Sequence, residues 1–328
     1  MALPASGAIS LNQVNVELGN SGTANINMNS AAVRGLFGIA SGAISMSDGY
    51  GKSSETVLTN EGTINGQANR KQITVSNFIS AGGTLVVPSG FWVWSDDRAV
   101  AAIIIDVACT IRNEGKIIGK GGSGGSGTAS IGGDAIKINS GVSGVTIQNN
   151  SGSYIAGGGG GGTSQGGGGA GGGDGSQPST TSGAPYDGGI GGVLNGTGQR
   201  GAIGYPNAGA QAGKGYGGGA GGGGGATAYI APYGYPANGG GGGRILPGSG
   251  GSGGAVSGSA GGAGGSAGNA GGNGTPGSLT GAEGGGGGWG ARGGNNSSGS
   301  QGAVGGKAVN DSGVSYTLSN SGTIYGAT

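Results

Sequence analysis

The side chains that carry most enzyme chemistry are scarce in this sequence. Histidine is absent, which removes the commonest general base, the commonest metal ligand and every Ser-His-Asp arrangement. The only adjacent carboxylates, Asp96 and Asp97, follow FWVWS and precede Arg98. That context reads as a polar turn, and no distant carboxylate stands out as the partner a glycosidase-like cleft needs. A single cysteine, Cys109, excludes an internal disulfide and a cysteine-based zinc cluster. Its neighbours Val107, Ala108 and Ile111 mark it as a small buried apolar residue. Matches to GxGxxG arise automatically in so glycine-rich a chain, and none opens a helix after a strand within a βαβ unit. The expectation is a protein that is not an enzyme and holds neither cofactor nor metal.

The informative chemistry lies in inserts between glycine runs: DGSQPSTTSGAPYD (174–187), AIGYPNAGAQ (202–211), ATAYIAPYGYPAN (226–238) and WGARGGNNSSGSQ (289–301). Each sets aromatics among Asn, Ser, Thr and Gln, the mixture that binding loops favour. Tyr and Trp supply contact area at low rotamer cost, and small polar residues supply adaptable hydrogen bonds. Tyr229, Tyr233 and Tyr235, clustered with Pro232 and Pro236 and followed by Asn238, are the first candidates for receptor contact. Tyr186, Tyr205, Trp289 and Arg292 come next. The competing use for any one ring is to plug the edge of a packed lattice. Tyr154, Tyr316 and Tyr325 fall in repeated β segments and read as structural.

These inserts need something to hold them. Of 328 residues, 96 are glycine, only 33% are hydrophobic and 8% are charged, with a net charge of +1. A conventional core can therefore fill only part of the chain. Disordered chains pair low hydrophobicity with high charge, and here the charge is missing. Near-neutrality without a Lys/Arg cluster argues against nucleic acid as a partner. The longest strongly apolar stretch, 99–105, is too short to span a bilayer, so no membrane insertion is expected. The start, MALPASGAIS, has neither the basic nor the apolar region of a signal peptide, which implies synthesis in a cytoplasm.

Residues 1–55 read as a small helical module. Ser10 and Gln13 form a capping box for a helix over 11–18 that Gly19 ends. Asn29 or Ser30 caps a second helix through 33–37, closed by Gly38, and a turn-rich tail follows. Residues 56–156 read as β structure, with β-rich runs at 73–78, 84–87, 91–94 and 101–107 punctuated by glycine and proline. The continuous run AAIIIDV suggests a strand buried on both faces.

A repeat runs through this region. LTNEGTING (58–66), IRNEGKIIG (111–119), IQNNSGSYIAG (147–157) and LSNSGTIYG (318–326) share an apolar residue, then Asn, Gly, Ile and Gly. The last two copies match upstream as well, through a shared SGVS. Such units are typical of β-solenoid rungs or stacked hairpins, each burying its Ile or Leu against a neighbour. The glycine block, 157–305, is bracketed by two related units, the second spanning 306–328. If they stack, the block must run out and return, which suits a folded domain and not a linker.

Glycine can fold in this way. A three-residue-per-turn helix of polyproline II type points every N–H and C=O sideways, and without Cβ atoms neighbouring helices can approach and bond to them. Ordering each glycine costs about 0.5–1 kcal/mol more than alanine, against about 0.5–1.5 kcal/mol returned per hydrogen bond, so such a lattice needs its ends fixed. The fold class expected is mostly β and irregular: a helical N-terminal module, a solenoid-like or stacked-hairpin stem, and a polyglycine II sandwich closed by a C-terminal β rung.

The string IRNEGKIIGKGGSGGSG, then GGDAIKI, then SGSYIAGGGGGG, followed by alternating glycine blocks and inserts, resembles the receptor-recognising adhesins at the distal tip of long tail fibres in T-even-type bacteriophages. The resemblance covers residues 111–328. It implies a sandwich of polyglycine II helices whose loops contact a host outer-membrane protein or lipopolysaccharide. MALPASGAISLNQVNVELG and SGAISMSDGYGKS resemble instead a leading module of many tailed-phage virion proteins, which implies that residues 1–55 anchor the chain to other virion proteins. T-even adhesins lack this start. The expected role is a virion adhesin on a tail fibre or tail tip. The alternative is a structural collar, baseplate or head fibre protein. No heptad repeat announces an oligomeric state.

Overall fold

The computed structural model describes residues 3–125, 129–163, 166–173, 191–198, 227–230, 233–236, 242–251, 255–256, 259–260, 262–273 and 284–328, with backbone alone for the four short segments between 227 and 260. It is mostly β, with two short helices. Helix α1 (Leu11–Glu17) is opened by the capping box: the Gln13 N–H donates to Ser10 Oγ (3.2 Å) and the Ser10 N–H to Gln13 Oε1 (2.7 Å). Helix α2 (Ala31–Phe37) is capped by Ser30 and ended by Gly38 at φ 74°, a left-handed conformation that favours glycine. Val14, Val33, Leu36 and Phe37 bury one face of each helix together with Leu3 and Ile9.

The chain then makes successive passes through three sheets. The first pass is β1 (Glu55–Val57), a hairpin of β2 (Gly62–Ile64) and β3 (Gln67–Lys71), and β4 (Ile73–Thr74). The second is β5 (Thr84–Val87), β6 (Phe91–Trp94) and β7 (Ile103–Ile105). The third is β8 (Thr110–Asn113), β9 (Lys116–Ile118) and β10 (Ile136–Ile138). After β11 (Val145–Asn149) and β12 (Tyr154–Ala156) come two backbone hairpins, β13 (Thr227–Ile230) with β14 (Tyr233–Pro236) and β15 (Ala255–Val256) with β16 (Ser259–Ala260). The chain returns through β17 (Val309–Asn310), β18 (Tyr316–Asn320) and β19 (Thr323–Tyr325).

The sheets run β1-β5-β8-β11-β18, β2-β3-β6-β9-β12-β19 and β4-β7-β10-β17. Every contact in them is parallel except that of β2 with β3. Equivalent residues stack: Leu85, Ile111, Ile147 and Leu318 in the first sheet, Val93, Ile117, Ile155 and Ile324 in the second. With Ile73, Ile103, Ile136 and Val309 of the third they enclose one core. Burial of each of these side chains except the half-buried Leu318 and Ile324 is worth about 1.5–3 kcal/mol.

Three sequence expectations need correction. LTNEGTING is not a parallel rung. Asn65 (φ 49°) and Gly66 (φ 73°) form the Asn-Gly turn of the β2–β3 hairpin, whose geometry matches strand twist. The second rung is instead TLVVPSGFWV, with Pro88-Ser89-Gly90 at the corner where the other copies have Asn and Gly. The strand expected over 73–78 stops at Thr74, and Val75–Asn77 is a 3-10 turn held by Asp106, which accepts from the Ser76 N–H (3.0 Å). AAIIIDV is not buried on both faces: within β7, Ile103 and Ile105 are buried and Ile104 is half-buried, as one-sided packing dictates.

The connections from the second sheet to the third are Gln72, then 95–102, then 119–135, then 157–308. The glycine block is thus the longest excursion at one corner of the stack. Its first run, 157–162, has a three-residue alternation. The N–H groups of Gly158 and Gly161 donate to Gly133 and Ser130 (2.9 and 3.0 Å), those of Gly159 and Gly162 to Ala170 and Gly167 (2.7 and 2.8 Å), and those of Gly160 and Thr163 to Ala291 and Gly294 (2.9 and 3.4 Å). Its carbonyls accept in the same rhythm: Gly159 and Gly162 from Gly122 and Gly125, Gly158 and Gly161 from Gly306 and Ala303, Gly157 and Gly160 from Gly290 and Gly287. Six passes therefore surround this run. A Cβ on Gly160 would fall on the Ala303 carbonyl oxygen, and one on Gly157 on that of Gly306.

Candidate binding surface

The Gly157 N–H donates to the Tyr325 carbonyl (2.9 Å), so residue 157 marks the end of the glycine body beside the sheets and residue 162 the end away from them. Turns at the near end pack on the outer face of the second sheet. Leu194, Leu246 and Trp289 join Ala170 in an apolar cluster with Trp92, Ile118 and Ala156. Asn65 Nδ2 donates to the Leu194 carbonyl (2.9 Å), and a Cβ on Gly268 would contact the Tyr325 ring. From these turns the described passes 248–251, 270–273 and 291–294 lead away from the sheets, as their pairings with 264–267, 285 and 163 fix. The far end presents residues 295–301.

Two near-end cations brace this packing. The Arg244 guanidinium lies 4.8 Å from the Trp94 ring centroid and donates from Nε to the Gly171 carbonyl (2.9 Å). Lys120 Nζ donates to the Gly172 carbonyl (2.6 Å). At the rim, Lys116 Nζ sits 4.3 Å from the Trp92 ring and 5.8 Å from that of Tyr154, and burial lowers its pKa. Burial raises the Tyr316 and Tyr325 hydroxyls.

The candidate residues fare differently. Trp289 is 0% exposed and donates from Nε1 to the Ile245 carbonyl (3.1 Å). It is a plug between the glycine body and the second sheet and offers no ring face to a ligand, which corrects its placement among the contact residues. An indole so placed satisfies its one donor while burying its large apolar area. Arg292 is exposed. It donates from Nε to the Gly302 carbonyl (2.9 Å) and from Nη2 to Gln301 Oε1 (2.6 Å). Tyr229, Tyr233 and Tyr235 lie on the β13–β14 hairpin, with Tyr229 opposite Gly234 and Tyr235 opposite Ala228. Tyr186, Tyr205 and Asn238 lie outside the described residues. Tyr154 and Tyr325 stack with centroids 6.3 Å apart.

The acidic pair makes a turn. Asp96 pairs with Lys71 (3.0 Å) and Asp97 Oδ1 accepts from the Ala99 N–H (2.9 Å). Sequence reasoning missed the loop 295–301 as a folded unit in its own right. Asn296 Oδ1 accepts from the Ser298 and Ser300 N–H groups (3.1 and 2.8 Å), and Asn295 Oδ1 from the Gly302 N–H (3.1 Å). The signal available was the pair Asn295-Asn296 ahead of Ser and Gly, residues whose side chains bond to nearby backbone.

No protein-family model matches the chain, and no curated protein matches it in sequence. Among solved structures it is similar to the gp37-gp38 adhesin tip complex of the bacteriophage S16 long tail fiber, at 19% identity and a TM-score of 0.46, over 98% of this chain and 99% of the other. That similarity is too low to carry fold or function across.

Proposed function

We propose that the chain is a non-enzymatic adhesin of a tailed-phage virion, set on a tail fibre or tail tip and binding a host surface receptor, protein or glycan. Residues 157–305 form a polyglycine II sandwich held at the corner of a β-solenoid stem, and residues 1–55 attach the chain to other virion proteins. The observation that carries the reading is the three-residue hydrogen-bond alternation at 157–162 with six surrounding passes. A lattice of that kind is rigid, and a rigid support lowers the entropy cost of presenting loops. The described outward pass 291–294 carries residues 295–301 to the end away from the sheets, and the inserts have the composition of contact loops.

The test is binding of the purified protein to host cells against a version with residues 226–238 replaced by Gly and Ser. Loss of binding by the replaced version supports the reading, and equal binding by both removes that insert from it. The helical module with its own apolar cluster favours, as a second reading, a structural virion component. Locating the chain in a map of the particle separates the two, since burial of the far end among other virion proteins contradicts an adhesin.

A further inference from the structure

We infer that Arg292 and the loop it braces, residues 295–301, form a recognition site for an acidic substituent, phosphate or carboxylate, on a surface glycan. The inference rests on the adhesin reading for its biological setting and on the following geometry for its chemistry.

A guanidinium carries five N–H donors in a planar fork. Arg292 commits two of them, to the Gly302 carbonyl and to Gln301 Oε1, and its side chain is exposed. Among the described residues no carboxylate pairs with it; the salt bridges there join Arg70 to Glu61, Lys71 to Asp96, and Arg112 to Glu55 and Glu114. Its two internal bonds fix the plane of the fork. Such a fork matches the paired oxygens of a carboxylate or phosphate.

The loop beside it is already ordered. Besides the Asn295 and Asn296 bonds above, the Asn296 N–H donates to the Ser300 carbonyl and the Gly299 N–H to that of Asn296 (both 3.1 Å). Thr163 Oγ1 donates to the Ser300 carbonyl (3.3 Å), and the Asn295 N–H to Asn273 Oδ1 (2.9 Å). Little ordering is left to be lost on binding. Ser298, Ser300 and Gln301 are exposed, and the Gln301 amide touches the cation. The loop has no aromatic or aliphatic anchor of the kind that dominates protein–protein contacts. One acid-seeking fork on a loop of exposed hydroxyls and amides fits an acidic sugar better than a protein surface.

The test uses the full chain with glucose 6-phosphate, glucuronate and glucose as probes, followed by saturation-transfer NMR and calorimetry. We expect at least one acid to bind about tenfold or more tightly than glucose, and the stronger of the two identifies phosphate or carboxylate as the source. Arg292→Lys keeps the charge but not the fork and weakens that binding. Gln301→Glu puts a carboxylate at the position from which Gln301 Oε1 accepts the Nη2 hydrogen and abolishes the binding, while the Ser298 and Gly302 amides keep their hydrogen-exchange rates. Equal binding of glucose, no binding of either acid at millimolar concentration, or acid binding unchanged by both substitutions overturns the inference. Host-cell binding measured in parallel separates the two levels: cells bound without the acids removes this site alone, and acids bound without the cells removes the adhesin reading alone.

Discussion

Asn149 Nδ2 donates to Asn320 Oδ1 at 2.8 Å across a separation of 171 residues, and the glycine block lies between them. Asn149 also accepts from Asn113 Nδ2 (2.8 Å) and from Ser153 Oγ (2.7 Å). Asn113 and Asn149 are buried, so this ladder ties the strands before and after the block into one register. Asn149→Ala removes one of the two acceptors of the Asn113 amide, leaving it only the Tyr154 carbonyl (3.1 Å). The expected cost is about 1–3 kcal/mol, read as a lower midpoint in urea, and faster hydrogen exchange of the Ser321 and Gly322 amides, which donate to the Asn149 carbonyl.

Glycine is required inside the lattice for the space a Cβ would take. Gly160→Ala pushes a methyl into the Ala303 carbonyl, and overpacking of this kind costs about 1–3 kcal/mol, occasionally more. Gly62 has nothing within reach of an added Cβ and no left-handed φ. Gly62→Ala should be neutral or stabilising by up to about 1 kcal/mol. Thermal denaturation of the two variants side by side checks the contrast.

Stability should fall in acid through one named pair. Glu55 on β1 bonds to Arg112 on β8, two strands away, with Arg112 Nη2 at 3.0 Å and a second bond from Nη1. The Arg112 hydrogen bond holds the Glu55 carboxyl below its usual range. A depressed folded pKa contributes stability that is present above the unfolded pKa and is lost as pH falls through the folded one. Glu55→Gln should therefore lower the melting temperature at pH 7 and lower it less at a pH below both values. An equal loss at both pH values contradicts the linkage.

Cys109 is 2% exposed, and burial pushes its thiol up to about 12. The thiolate is the reactive form, so the native protein should resist alkylation at pH 8 and react once the stack unfolds. Prompt labelling of the folded chain by iodoacetamide would show that the core around Ile111 opens readily.

Much of this architecture was legible in residue types. Ser10 with Gln13, Ser30 and Gly38 mark helix ends because capping is local chemistry. The shared order of Asn, Gly and Ile marks the stacked passes from Ile111 onward because each must present the same side chains at the same corner. The second rung escaped the repeat because Pro88-Ser89-Gly90 makes the corner that Asn and Gly make elsewhere. Trp289 was misplaced for a reason of distance. Its sequence neighbours, glycine and Arg292, look like those of a loop residue, while the groups that bury it, Trp92, Ile118 and Leu246, come from remote segments. The brace formed by Arg292 also depends on a fold that brings Gly302 back to it, and no local pattern encodes that return.

The most direct measurement is hydrogen exchange of the native chain, resolved to the amides of residues 157–162. Each of these N–H groups donates to a carbonyl of another pass or of Tyr325 at 2.7–3.0 Å, so exchange slowed by orders of magnitude relative to an unstructured glycine peptide is the result we predict. Exchange at the unstructured rate throughout that run would mean the passes do not bond to one another, and the rigid support for the inserts would not exist.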